Sequence, residues 1–110
     1  MVVKDWLENG TNFKWKELRY IKVPSLPYNI FIDETVFRGA DNLNNIIEHN
    51  ITLEHYSETI DEANEKIIED FLNIEELHFE KDREWLNDEE LYVTVYTIET
   101  ILEKVRKEGW

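Results

Sequence analysis

The chain has 110 residues, 42% hydrophobic and 13% aromatic, which suffices for one domain with a modest core and is too apolar for a disordered segment. Its 25 acidic against 12 basic residues, net −13, argue against binding phosphate backbones or anionic membrane, since both need a basic surface and the lysines here are scattered among carboxylates. With no cysteine there is no disulfide, thiolate nucleophile or Cys-based zinc site.

The N-terminus lacks the continuous apolar core of a signal peptide and no stretch reaches membrane-spanning length, so folding in the cytoplasm is expected. Residues 2–9 place Val3, Trp6 and Leu7 at helical spacing before Gly10, which predicts a short helix with a glycine stop. From Lys14 to Val23 the residues alternate, with Trp15, Glu17, Arg19, Ile21 and Val23 on one side, and a strand is expected. Pro24 and Pro27 then mark a turn or extended linker.

Tyr28–Asp33 is rich in aromatic and β-branched residues and reads as a strand. "VFRGADN", Val36 to Asn42, reads as the bend after it: Gly39 permits a positive φ, and Asp41 or Asn42 can close a turn on its own backbone. In the strand that follows, Ile47, His49, Ile51, Leu53 and His55 face one way, with Glu48, Asn50, Thr52 and Glu54 facing the other. A helix is expected from Thr59, with a Thr59–Glu62 capping box and an Ile60, Ala63, Ile67, Phe71 stripe reinforced by Ile68 and Leu72. Glu62 and Lys66 have the spacing of an outward ion pair.

Ile74–Asp82 reads as a short strand and Arg83–Glu90 as a polar turn carrying Trp85. The last strand starts near Leu91, and its tail fits either more strand or a closing helix. Alternating one-sided strands imply a single α+β domain over residues 1–110, an antiparallel sheet of about four to five strands with helices packed on one face.

Chemistry is hard to assemble from these residues. His49 and His55 lie six residues apart, roughly 20 Å along a strand, too far to share a metal ion, and His78 is on another element. Carboxylate neighbours such as Asp33 with Glu34, or those in 80–84 and 87–90, are what so acidic a chain produces anywhere. Neither Ser25 nor Ser57 sits in a nucleophile elbow, and there is no glycine-rich phosphate loop. No catalytic, cofactor or metal site is expected. The rings are the remaining signal: Tyr92, Thr94 and Tyr96 share one face of the last strand, and Leu91, Val93 and Val95 the other, so the strand is either buried on both sides or has one face committed to another chain.

In order and spacing, "LPYNIFIDE", "GADN", "ITLEHYSETIDEANEKIIEDFL" and "FEKDREWLNDEELYVTVY" resemble the tail-terminator (tail-completion) proteins of siphophages and prophages. The resemblance rests on Pro27 and Tyr28, Ala40 to Asn42, Tyr56 with Ser57, Trp85, and Leu91 with Tyr92, and covers residues 26–98; the first 25 residues depart from the family pattern. It implies a tail-terminator-like α+β subunit of the virion, assembled in the host cytoplasm, that caps the tail tube as a ring, commonly hexameric, and joins it to the head–tail connector. The implied partners are other copies of the chain, the tail tube protein and the connector protein, with DNA passing through the ring without specific binding. On this reading Arg38, Asp41, Asn42, Trp85, Tyr92 and Tyr96 are the candidate interface residues. The alternatives are a neck stopper or adaptor, and a small acidic DNA mimic that inhibits a host protein.

Overall fold

The computed structural model describes residues 1–39 and 44–106, and in it two helices and a six-stranded mixed sheet form one α+β domain. In chain order the elements are α1 (Val3–Thr11), β1 (Trp15–Glu17), β2 (Tyr28–Arg38), β3 (Asn44–Ser57), α2 (Glu62–Ile74), β4 (Phe79–Leu86), β5 (Leu91–Ile98) and β6 (Ile101–Arg106). The sheet runs β1-β2-β3-β5-β4, with β6 also on β3. Every pairing is antiparallel except β1 with β2. The sheet thus has one strand more than the upper expectation.

α1 does not stop at Gly10. It continues to Thr11, and Asn12 terminates it in the left-handed conformation, φ 61°, with its N–H donating to the Glu8 carbonyl. Gly10 serves the packing instead: a Cβ there would overlap the Phe71 ring of α2. Trp6 completes that contact, its ring 4.9 Å edge-on from Phe71 and its Nε1 donating to Glu75 at 2.9 Å.

The strand expected over 14–23 shrinks to three residues. Trp15 is 2% exposed; its backbone N–H donates to Glu8 and its Nε1 to Thr11 Oγ1. It wedges α1 against the sheet, after which Leu18 turns the chain out with φ 68°. β2, by contrast, is longer than expected. Val36, Phe37 and Arg38 remain paired to β3, down to Arg38 opposite Ile46, so they are strand and not bend. Of the rest of the expected bend, Gly39 follows the strand and is exposed, and Ala40 to Asn42 lie outside the described residues.

α2 is capped by Asp61, whose side chain accepts from the Asn64 N–H, and not by a Thr59–Glu62 box. Its buried face is Glu65, Ile68, Phe71 and Leu72, whereas Ile60 and Ile67 are 47% and 40% exposed and Ala63 is exposed. The expected stripe is rotated because a carboxylate takes a core position. Lys66 pairs with Asp70 at 2.7 Å rather than with Glu62. β4 begins only at Phe79, and Trp85 belongs to this strand; the turn is Asn87–Glu90.

The tail of the chain is strand. Between the pairs Thr52–Thr97 and His49–Ile101, β3 has two residues and the opposing chain three, so Glu99 and Thr100 form a bulge. β5 and β6 are therefore one bent ribbon lying along the whole of β3. With β2 they make a three-stranded arm beyond the helices, in which β2 residues from Glu34 onward are exposed.

The core lies between the helices and one sheet face: Val3, Leu7, Ile68 and Leu72 against Phe31, Ile51, Leu53, Tyr96 and Ile98. Each fully buried aliphatic side chain contributes about 1.5–3 kcal/mol. The helix-side row of β3 is as expected, with His49, Ile51, Leu53 and His55 buried. Gly10→Ala tests the helix contact. Alanine gains about 1 kcal/mol of helix propensity but overpacks a filled site at about 1–3 kcal/mol, so the urea midpoint should fall, and Phe71→Leu in the same chain should recover part of the loss.

Candidate interaction surfaces

The ionisable groups inside the molecule are matched to one another. Glu65 on α2 is 1% exposed, yet accepts from Arg83 Nε at 3.0 Å and from Thr94 Oγ1 at 2.6 Å, with Lys81 Nζ at 3.0 Å. Lys81 also reaches Glu69 at 2.8 Å, and Glu69 accepts from the Tyr96 hydroxyl. Burial alone would push the Glu65 carboxyl up; the hydrogen bonds from Arg83, Thr94 and Lys81 outweigh it and hold it at about 2. Burial and the adjacent Glu69 carboxylate raise the Tyr96 phenol.

Both buried histidines of β3 are likewise partnered. His55 lies 2.6 Å from Asn29 Oδ1 and 2.9 Å from Asp61 Oδ2. Burial pushes the Asp61 carboxyl up, but bonds from His55 and Asn64 bring it below its ordinary value. His49 has Asp33 at 2.8 Å on Nδ1 and Glu103 at 3.4 Å on Nε2, so the two acids sit on different ring nitrogens and do not converge on one point. Among the described residues no three His, Asp or Glu side chains are grouped to hold a metal ion. Asp33 Oδ1 and Ser57 Oγ are buried without a hydrogen-bond partner.

The candidate interface residues are not brought together. Arg38 lies near the end of the arm and pairs with Glu48. Trp85 is 48% exposed and meets Tyr92 edge-on at 4.9 Å, at the other end of the sheet. Arg38 is opposite Ile46 and Tyr92 opposite Ser57, so roughly 37 Å of β3 separates them. Tyr96 is fully buried beneath α2 and belongs to the core, because its ring and hydroxyl are both used within the chain. Asp41 and Asn42 lie outside the described residues.

Two further surfaces escape the sequence reading. Phe37 is 73% exposed on the arm, with Val36 and Leu102 also exposed. At the opposite end, the irregular segment after β1 leaves Leu18, Ile21 and Val23 in solvent. Its Arg19, Tyr20 and Val23 wall a groove of about 320 Å³ on the helix-free face, closed by Tyr28, Tyr56 and Glu89. The Tyr28 and Tyr56 rings stack at 4.8 Å, and Tyr20 meets Tyr28 edge-on at 5.6 Å. The exposure of Leu18, Ile21 and Val23 had no signal in the alternating pattern, which mimics a half-buried strand.

The chain matches no protein-family model and no curated protein. Among the described residues no helix is long and apolar enough to cross a membrane.

The Glu65 cluster has a pH signature. Its carboxyl titrates near 4.5 when free and about 2 in the fold, so its contribution is complete above pH 4.5 and fades as pH falls toward 2, a loss of roughly 3 kcal/mol. Glu65→Gln should remove that part of the acid transition and destabilise the chain by about 3 kcal/mol at pH 7, leaving Arg83 without its anion while Lys81 keeps Glu69. Urea titrations at pH 7, 4 and 2.5, followed by circular dichroism, check both.

Proposed function

We propose that this chain is a non-catalytic assembly subunit of a tailed phage or prophage, capping the tail tube as an oligomeric ring and joining it to the head connector. One observation carries the reading. Large apolar side chains are exposed at both ends of an elongated molecule of 51 × 30 × 21 Å, while its interior ionisable groups are spent on one another. A subunit that contacts neighbours on more than one side needs such separated patches, because heterologous contacts use two different surfaces. The uncovered arm, with Phe37, Val36 and Leu102, suits insertion between neighbours or toward the tube. The net charge of −13 suits a bore through which DNA must pass without sticking. The order and spacing of the motifs over residues 26–98 supply the virion assignment.

A DNA-mimic reading draws support from β4, where the cations turn inward and leave Glu80, Asp82 and Glu84 on the outer face. Recovery of a host DNA-binding protein in a pull-down, without binding to tail tubes, would favour it.

Electron microscopy of particles lacking the protein separates the assembly roles. Overlong or ragged tails are expected for a terminator; normal tails detached from filled heads would assign the chain to the neck instead. Phe37→Glu should leave the isolated chain folded and abolish incorporation into particles, checked by circular dichroism and by complementation of the deletion.

A further inference from the structure

Two surfaces of opposite chemistry reach the helix-free side of the molecule. From Lys14 to Val23 the chain has four cations, Lys14, Lys16, Arg19 and Lys22, against the single anion Glu17, in a protein of net −13. Interleaved with them, Leu18, Ile21 and Val23 are 64%, 96% and 62% exposed. A single exposed aliphatic is ordinary, but three within six residues form a patch that favours a partner.

The second surface is the outer row of β4. The register places Glu80, Asp82 and Glu84 opposite Thr97, Val95 and Val93, on the helix-free face, and all three carboxylates are exposed. Their alternating neighbours Lys81 and Arg83 point to the other face and are engaged by Glu65. Asp88, Glu89 and Glu90 extend the row through the turn, again exposed and without an intervening cation. The carboxylates of the strand stand roughly 6.7 Å apart.

We propose that these two surfaces bind each other between copies of this chain. The Leu18–Val23 segment of one molecule covers the Glu80, Asp82, Glu84 row of another, Arg19 and Lys22 meet carboxylates, and Ile21 covers Val95. Charge decides the occupant. Two molecules of net −13 repel unless the contact joins patches of opposite sign, and here each copy carries both. Within one molecule the segment reaches only the near end of the row, where Arg19 and Glu89 line the same groove. Glu80 lies six residues beyond Leu86, roughly 20 Å away, and is free for a neighbour. The inference names the partner surfaces of the ring proposed above and rests on that reading only for the symmetry of the assembly.

The test is a charge exchange, read by light scattering across concentration and salt. Wild-type chain should associate at low ionic strength and weaken as salt screens the contact. Arg19→Glu with Lys22→Glu, and separately Asp82→Lys with Glu84→Lys, should each weaken association about 100-fold while leaving the thermal melt in place. An equimolar mixture of the two variants should associate again, since each reversed surface meets its reversed complement. Association of either variant at wild-type strength, or a mixture that stays monomeric, overturns the contact. A wild-type chain that is monomeric at millimolar concentration also overturns it and leaves the carboxylate row to the DNA-mimic reading. A rescued assembly that stops at dimers keeps the contact and removes the ring. A wild-type ring untouched by the exchange keeps the ring and removes the contact.

Discussion

The architecture turns on one buried carboxylate. Glu65 sits on the inner face of α2 where an apolar residue would be expected, and Arg83, Lys81 and Thr94 of two strands converge on it. An ion pair in this setting adds little net stability over a well-packed hydrophobic contact, because desolvation offsets the attraction. Its consequence is positional. The register of β4 on β5 brings Arg83 and Lys81 to the helix side beside Glu65, and a slip by one residue would turn Glu84 and Asp82 toward it instead. The cluster thus sets the docking of α2, the register of the edge strand, and the sign of the outer face.

From that register follows the sorting of charge. β4 is a sheet edge, and edges in small proteins are guarded by charged side chains. Because its cations face inward, the guard on the helix-free side is purely acidic. The surplus of positive charge is instead carried by the segment that leaves β1, where the deep burial of Trp15 and the left-handed turn at Leu18 throw the following residues into solvent. Oppositely charged surfaces on a strongly acidic chain are consistent with a protein that meets copies of itself.

The second organising feature is the bulge at Glu99–Thr100. It lets β5 and β6 share the full length of β3, so a sheet whose core could be covered by two short helices continues as an arm that neither helix reaches. The exposed Phe37 and Leu102 are the direct result. A chain of this size has too little helix to cover both ends of so long a sheet.

Period-two alternation in β3 and the aromatic, β-branched character of β2 and β5 were legible from residue order alone, because strand periodicity is a local property. So were the α+β class, the existence of both helices, and the absence of any cysteine chemistry. The rotated face of α2 was not, because nothing near Glu65 in sequence announces that Arg83 and Lys81 will neutralise it. The same holds for Gly10, whose role depends on a ring 61 residues away, and for Tyr96, whose hydroxyl is claimed by Glu69. Alternation between Lys14 and Val23 suggested a strand, but a strand needs a partner, and β2 supplies one for only three residues. Periodicity and composition determine which elements exist; which face is buried, which charge is exposed and where a sheet outgrows its helices depend on contacts between residues far apart in the chain.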